Sequence, residues 1–243
     1  MRLDVFLAEN GFVRSRTEAK QLIEAGAVTA DGRLLDKPAM SVEGLEERIV
    51  LDRSAKKYVS RGGTKLEGAL SAFSLDVRGV HAIDIGASSG GFTDCLLQNG
   101  ADAVIALDSG RDQLVVQIRR DPRVHVIEGY NARYLVTEDL PYVPDFAVMD
   151  VSFISATYII PAIYNVLASG SHFVCLVKPQ FEVGRAAIGK GGIVKDAQAR
   201  EAALASVVKF AEQIGFLTHG AILSPIKGGD GNIEYLVHFQ KKL

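Results

Sequence analysis

The chain has 243 residues, 48% of them hydrophobic and 23% charged, a composition that argues against disorder and leaves room for one large domain or a large and a small one. A formal net charge of −2 argues against a uniformly basic nucleic-acid binder, so any hold on a polyanion has to come from local clustering. Cys95 and Cys175 sit in apolar runs without the paired spacing of a metal site, which fits buried thiols in a reducing cytosol.

Met1-Arg2-Leu3-Asp4 brings in an acid at once, and no apolar core follows, so the start does not read as a signal peptide. Leu3, Phe6 and Leu7 make one face of a first short helix that Gly11 ends. Ser15 with Glu18 three residues on has the form of a capping box and predicts a second helix over Arg16–Ala25, closed by Gly26. Ala27–Ala30 and Arg33–Leu35 read as strands flanking an Asp31-Gly32 hairpin signal, and Arg48–Leu51 as a third. Arg14, Arg16, Lys20 and Lys37 gather around the second helix and the loop after the hairpin; on charge alone a solvated helix face is the simpler reading. The stretch SRTEAKQLIEAGAVTADGRLLDKPAMSV, however, resembles the small RNA-binding domain named for ribosomal protein S4. The resemblance implies that Arg2, Arg14, Arg16, Lys20, Lys37 and Arg61 touch phosphates, giving affinity without sequence readout.

Asp52–Ser60, with Arg53, Lys56 and Lys57, reads as a linker, which gives a small α+β domain with its linker at 1–59 and a large domain at 60–243. Gly62 and Gly63 precede Lys65 and a helix carrying Leu66, Ala69, Leu70 and Phe73. Next, an apolar strand over Val80–Ile85 runs through Asp84 into the turn Gly86-Ala87-Ser88-Ser89-Gly90-Gly91, then a helix with Phe92, Leu96 and Leu97. Such a glycine turn between strand and helix suits a nucleotide-like ligand. Strands follow at Ala103–Asp108, Val124–Glu128, Phe146–Asp150 and Phe173–Val177, with helices around Gln113–Arg119 and Thr157–Leu167. This alternation predicts an α/β fold with a mostly parallel sheet covered on both faces. No charged residue lies between Asp150 and Lys178, but Pro161, Asn165 and Gly170 interrupt the run, so it reads as protein core and not as a membrane span. A glycine-rich loop, Gly184–Gly192, leads to a long helix over Asp196–Ile214, and strands Phe216–Ser224 and Asn232–Gln240 close the chain across the turn Lys227-Gly228-Gly229-Asp230-Gly231.

Ser88 stands where a dinucleotide fingerprint needs glycine, which disfavours a nicotinamide cofactor. Asp108 ends the second strand of the large domain and either takes ribose hydroxyls or only caps the following turn. Asp150 and Lys178 end later strands at the same rim, and Glu234 interrupts an apolar strand, where a lone carboxylate needs a partner. With Lys65 these make a Lys, Asp, Lys, Glu series that suits a salt-bridge cluster as well as catalysis. The five histidines (His81, His125, His172, His219, His238) show no ligand spacing, so no metal is expected.

The acid-first turn resembles motif one of S-adenosylmethionine-dependent methyltransferases, and the four-residue series resembles the tetrad of FtsJ-like RNA ribose methyltransferases. Together with the N-terminal module, the motifs SRGGTKLEGAL, DIGASSGGFTD, DVSFIS, LVKPQFEVG and GNIEYL resemble the TlyA family of hemolysin-A-like ribosomal RNA 2′-O-methyltransferases along essentially the whole chain. The resemblance implies a Rossmann-like class I methyltransferase with a seven-stranded sheet, a cytoplasmic location and ribosomal RNA as partner. It implies S-adenosylmethionine held by Asp84, Gly86, Ser88, Gly90, Gly91, Phe92, Asp108, Asn131, Ala132 and Asp150, with Tyr130 also near the adenine. Lys65, Asp150, Lys178 and Glu234 would be catalytic: Asp150 and Glu234 orient Lys178, which handles the hydroxyl proton, while Lys65 positions the nucleotide. The target implied is a large-subunit cytidine and, in some members, a small-subunit one; the short segment before Leu3 and the end at Lys241-Lys242-Leu243 favour the large subunit alone. A membrane-active haemolysin and a noncatalytic ribosome-binding module are the competing expectations.

Overall fold

The computed structural model describes residues 1–24, 26–52, 57–184, 187–228 and 231–243. Ala25 at the end of the expected second helix, Arg53 and Lys56 of the linker, and Gly229 and Asp230 of the last turn lie outside the described residues. Packing divides the chain into Met1–Arg61 and Gly62–Leu243.

In the first unit, α1 (Leu3–Glu9) has no side-chain cap at Arg2. Its first N–H groups are satisfied instead by backbone, Leu3 donating to the Met40 carbonyl at 2.9 Å and Asp4 to that of Pro38 at 3.0 Å. Helix α2 (Arg16–Glu24) is capped by Ser15, whose Oγ accepts from the Glu18 N–H at 3.1 Å. The Glu18 carboxylate accepts from the Arg14 N–H, one residue short of a true capping box. Strands β1 (Val28–Ala30) and β2 (Arg33–Leu34) are joined across Asp31 and Gly32, at φ +51° and +74°, the two positive values that a type I′ turn demands. β3 (Ile49–Leu51) pairs on the other edge of β1, giving a three-stranded antiparallel sheet. Leu3, Leu7, Ile23, Val28 and Val42 are fully buried between helices and sheet, each worth on the order of 1.5–3 kcal/mol.

The second unit begins at α3 (Gly62–Ala72), so Gly62 and Gly63 form its first turn and not a loop ahead of it. Strands β4 (His81–Ile85), β5 (Ala103–Asp108), β6 (Val124–Glu128), β7 (Phe146–Met149), β8 (His172–Val177), β9 (Phe216–Leu223) and β10 (Tyr235–Lys241) form one sheet in the order β6-β5-β4-β7-β8-β10-β9. All neighbours are parallel except β10, which runs antiparallel to both β8 and β9. Strand alternation sends Ile83, Ile85, Ile105, Leu107, Ala147 and Met149 into one core with α6 (Ile160–Val166) and α8 (Ala197–Ile214). The opposite face meets α4 (Gly91–Gln98), where Thr93 donates to Asp84. Three expected elements differ in detail. The helix expected over Gln113–Arg119 is the shorter α5 (Val116–Arg119), because Asp112 at φ +57° breaks the chain just before it. The helix expected over Thr157–Leu167 is a 3-10 turn at Ala156–Tyr158 followed by α6, with Pro161 in its first turn where the missing N–H costs nothing. Glu234 lies just before β10 and not inside a strand.

Candidate active site

The strand order reverses between β4 and β7, so the loops leaving these two strands open a crevice at their carboxyl ends. Gly86 leaves β4 at φ +84°, and a Cβ there would stand 2.4 Å from the Asp150 carbonyl oxygen, so only glycine lets the two chains pass. A cavity of about 510 Å³ opens here, lined by Gly86, Ser88, Asp108, Tyr130, Asn131, Ala132 and Asp150, with Ile85, Leu107, Ile154 and Ile159 among its apolar walls. Asp108 ends β5, and both its carboxylate oxygens accept backbone N–H groups, from Ser88 at 2.8 Å and Gly110 at 2.7 Å. The acid therefore caps its own turn and faces the cavity as well. Ser88 takes a left-handed conformation at φ +47°, and its Oγ reaches Gln113 Oε1 at 3.4 Å. The Tyr130 hydroxyl contacts the Asp139 carboxylate and the Tyr134 carbonyl, and the neighbouring carboxylate raises its pKa to about 12. Asn131 caps the short turn after it, accepting from the Arg133 N–H at 3.1 Å.

Asp84, Gly90, Gly91 and Phe92 are not among the residues that line this cavity. Asp84 has the opposite parity in β4 from Ile83 and Ile85, so its side chain points to the α4 side, fully buried, and accepts from Thr93 Oγ1 at 2.6 Å. Burial pushes its pKa up to about 7, against the lowering effect of the Thr93 bond. Gly90 caps α4 at φ +96°, where a Cβ would come within 2.8 Å of Leu114, and Gly91 and Phe92 are buried in the first turn of that helix. These residues shape the turn that other residues present to the cavity.

Lys178 follows β8 and forms an ion pair with Asp150 at 2.5 Å, while its Nζ also donates to Ser152 Oγ at 2.8 Å. Lys65, on α3, forms a second pair with Glu234 at 2.6 Å; both side chains are at least nine-tenths buried. The tetrad is thus two pairs, and Glu234 partners Lys65 instead of orienting Lys178 as expected. Gln180, on α7 (Pro179–Glu182) two residues after Lys178, donates from its Nε2 to Glu234 Oε1 at 3.3 Å. Gly228 makes room for that carboxylate, since a Cβ there would stand 2.4 Å from Glu234 Oε1.

In the first unit, Asp4 is fully buried yet accepts from Arg2 Nε at 3.0 Å and Arg16 at 3.2 Å, and the Arg2 hydrogen bond leads in holding its pKa near 2. Arg14, Lys20 and Lys37 are exposed, and Arg61, half-buried, stands immediately before α3.

Reading the sequence did not single out Ser152, Phe153, Gln180 or Glu182, although all lie within the motifs DVSFIS and LVKPQFEVG. Phe153 is 91% exposed in a left-handed conformation at φ +65° beside Phe181, an unusual state for a bulky residue and the one local sign of a functional loop. The sequence also gave no sign that His172, His219 and His238 meet across β8, β9 and β10, with His172 Nδ1 2.9 Å from His238 Nε2. Among the described residues no helix is long and apolar enough to cross a membrane.

Residues 58–241 match the family described as FtsJ-like methyltransferase, and residues 1–49 match the S4 domain. The chain is 43% identical, over 97% of its length and 88% of its relative's, to the 16S/23S rRNA (cytidine-2′-O)-methyltransferase TlyA of Mycobacterium tuberculosis. It is 43% identical to hemolysin A of Brachyspira hyodysenteriae, covering 98% of this chain and 99% of that one. A solved structure from Streptococcus thermophilus bearing a hemolysin label covers 100% of this chain and 88% of its own, at 45% identity and a TM-score of 0.78. With a methyltransferase sheet, a paired Lys–Asp rim and an S4 unit in one chain, the protein belongs to the FtsJ-like methyltransferase family and, within it, to the TlyA group.

Proposed function

We propose that this protein transfers a methyl group from S-adenosylmethionine to the 2′-hydroxyl of a ribose in ribosomal RNA, at a cytidine of the large subunit. The observation that carries this reading is the Lys178–Asp150 pair, held where β8 and β7 end, beside a cavity that begins at Gly86. The residues present suit the cofactor: Asp108 and Asp150 end the strands on either side of β4, apolar side chains wall the space, and position 86 admits no side chain. Asp108 would take ribose hydroxyls, and Tyr130, Asn131 and Ala132 would border the base. S-adenosylmethionine, when bound, supplies a methyl group already activated by its sulfonium.

The protein's own work is then alignment and one proton. A 2′-hydroxyl is a poor nucleophile, and holding it in line removes much of the barrier. In its neutral amine form, Lys178 Nζ, placed by Asp150 and Ser152, would accept the hydroxyl proton as the methyl group moves to the oxygen, and Asp150 would pair with the ammonium that results. Lys65 and Glu234, buried against each other, would hold the segment after Lys178 in place through Gln180. The S4 unit would supply phosphate contacts through Arg14, Arg16, Lys20 and Lys37.

Labelled S-adenosylmethionine incubated with ribosomal subunits, followed by mapping of ribose methylation, tests the reading. Lys178→Ala should lose about 100-fold or more in transfer while binding S-adenosylmethionine within about threefold of wild type. A folded Lys178→Ala enzyme with near-wild-type transfer overturns the assignment.

A further inference from the structure

The loop after β7 carries both of the groups that hold Lys178, Asp150 and Ser152. Its upstream end is fixed by the sheet, the Asp150 N–H donating to the Ile85 carbonyl at 3.0 Å. Its middle is unfavourable by itself: Phe153, 91% exposed, sits at φ +65°, a state that costs on the order of 1–3 kcal/mol and persists only where the surroundings over-determine it. The downstream anchor comes from the other segment of the site. Glu182, four residues after Lys178, reaches back across the crevice rim with both oxygens, Oε2 accepting from Ser155 Oγ at 2.5 Å and Oε1 from the Ala156 N–H at 2.8 Å. Among the described residues no lysine or arginine forms an ion pair with it, and burial raises its pKa, so the carboxylate is kept here against its desolvation cost for these two bonds.

We infer that Glu182 is a positioning residue for methyl transfer: it staples the loop Asp150–Ala156 to the segment that begins at Lys178, and so fixes the angle at which Asp150 and Ser152 hold Nζ. Hydrogen bonds and ion pairs then join the two segments at both ends, Lys178 to Asp150 and Ser152 at the strand ends and Glu182 to Ser155 and Ala156 farther out, with Phe153 against Phe181 between them. Removing the outer staple frees Phe153 to relax from its left-handed state, and shifts Ser152 and its neighbours between Asp150 and the buried Ala156. A displacement of about 1 Å at a proton-handling group is enough to cost on the order of 100-fold in rate. Glutamine can do most of the same work. Its Oε1 still accepts from Ala156 N–H, and its amide donates to Ser155 Oγ, whose own proton can turn to Thr157 Oγ1, 2.7 Å away.

This inference rests on the methyltransferase reading proposed above, and the experiment separates the two. The full-length chain, with Glu182→Ala, Glu182→Gln and Ser155→Ala variants, is assayed with ribosomal subunits over a range of S-adenosylmethionine and RNA concentrations, with melting temperature measured alongside. Glu182→Ala should lower kcat by about 10–100-fold while KM for RNA and Kd for S-adenosylmethionine stay within about threefold. Glu182→Gln should recover most of that loss. Ser155→Ala should lower kcat several-fold, and the Glu182→Ala/Ser155→Ala double variant should be no slower than Glu182→Ala alone, because the two act as one unit. If Glu182→Ala does not fold, the kcat of Ser155→Ala and of Glu182→Gln decides: a drop in the first with near recovery in the second supports the staple, and no change in Ser155→Ala overturns it. An active wild type with an unchanged kcat in folded Glu182→Ala, or a loss appearing only in KM or melting temperature, overturns the positioning role alone. A wild type that transfers no methyl group to any ribosomal RNA overturns both, since the staple then has no reaction to serve.

Discussion

Gly86 is where steric exclusion and ligand access meet. The left-handed backbone at φ +84° strains any other residue, and the Asp150 carbonyl 2.4 Å from a would-be Cβ is backbone, which cannot swing aside as a flexible side chain would. Gly86→Ala therefore has to push β4 and β7 apart just where the cavity begins. It should weaken S-adenosylmethionine binding at least tenfold, read by calorimetric titration, and lower stability by about 2 kcal/mol or more. An alanine variant that binds as wild type refutes the close packing. The same neighbourhood shows what residue types disclose and what they hide. Gly86 and Asp108 were legible because a glycine turn and a strand-ending acid have few other uses. The placement of Asp84 on the α4 side with Thr93 was hidden, because it follows from parity in β4 and not from motif position.

At the scale of elements, the end of the sheet built from β8, β9 and β10 carries a pH-dependent contact. His172 and His238 share a ring-to-ring hydrogen bond at 2.9 Å, so one nitrogen must accept, and the pair cannot hold a proton on every nitrogen. Burial, then the charges of His172 and His219, push the His238 pKa from 6.5 down to about 4, and burial lowers that of His172 as well. A depressed histidine pKa means that the folded state favours the neutral ring. Its stabilising contribution is complete above the unfolded value of 6.5 and drains away as pH falls toward 4. Urea midpoints measured between pH 7.5 and 4.5 should fall on acidification, and His238→Gln should flatten the slope; an equal slope in both proteins excludes the contact as the cause. These elements were largely legible, since alternating strands and helices follow from apolar periodicity and breakers. Their pairing was not. Lys65 and Glu234 are 169 positions apart, and only the order of strands in the folded sheet decides that they meet each other and leave Lys178 to Asp150.

For the whole molecule, a net charge of −2 makes long-range attraction to RNA depend on where the basic residues stand. Arg14 and Lys20 are both exposed around α2. Replacing both with glutamine should weaken binding to ribosomal RNA about equally across sequences and flatten the plot of log affinity against log salt by about 1 per residue removed, measured by filter binding. An unchanged salt slope removes these two from the contact surface. The division into an S4 unit and a methyltransferase unit was visible in composition and motif, because each needs its own apolar core and each has one.

Asp4 gives that basic surface a further property. A carboxylate buried beneath Arg2 and Arg16 fixes two guanidinium groups during folding, whereas the lysines beside them keep their rotamer freedom. In the proposed RNA contact the arginine pair would meet a phosphate with its orientational entropy already spent, as a preorganised fork that sets docking register, while Lys20 and Lys37 would serve as adjustable tethers.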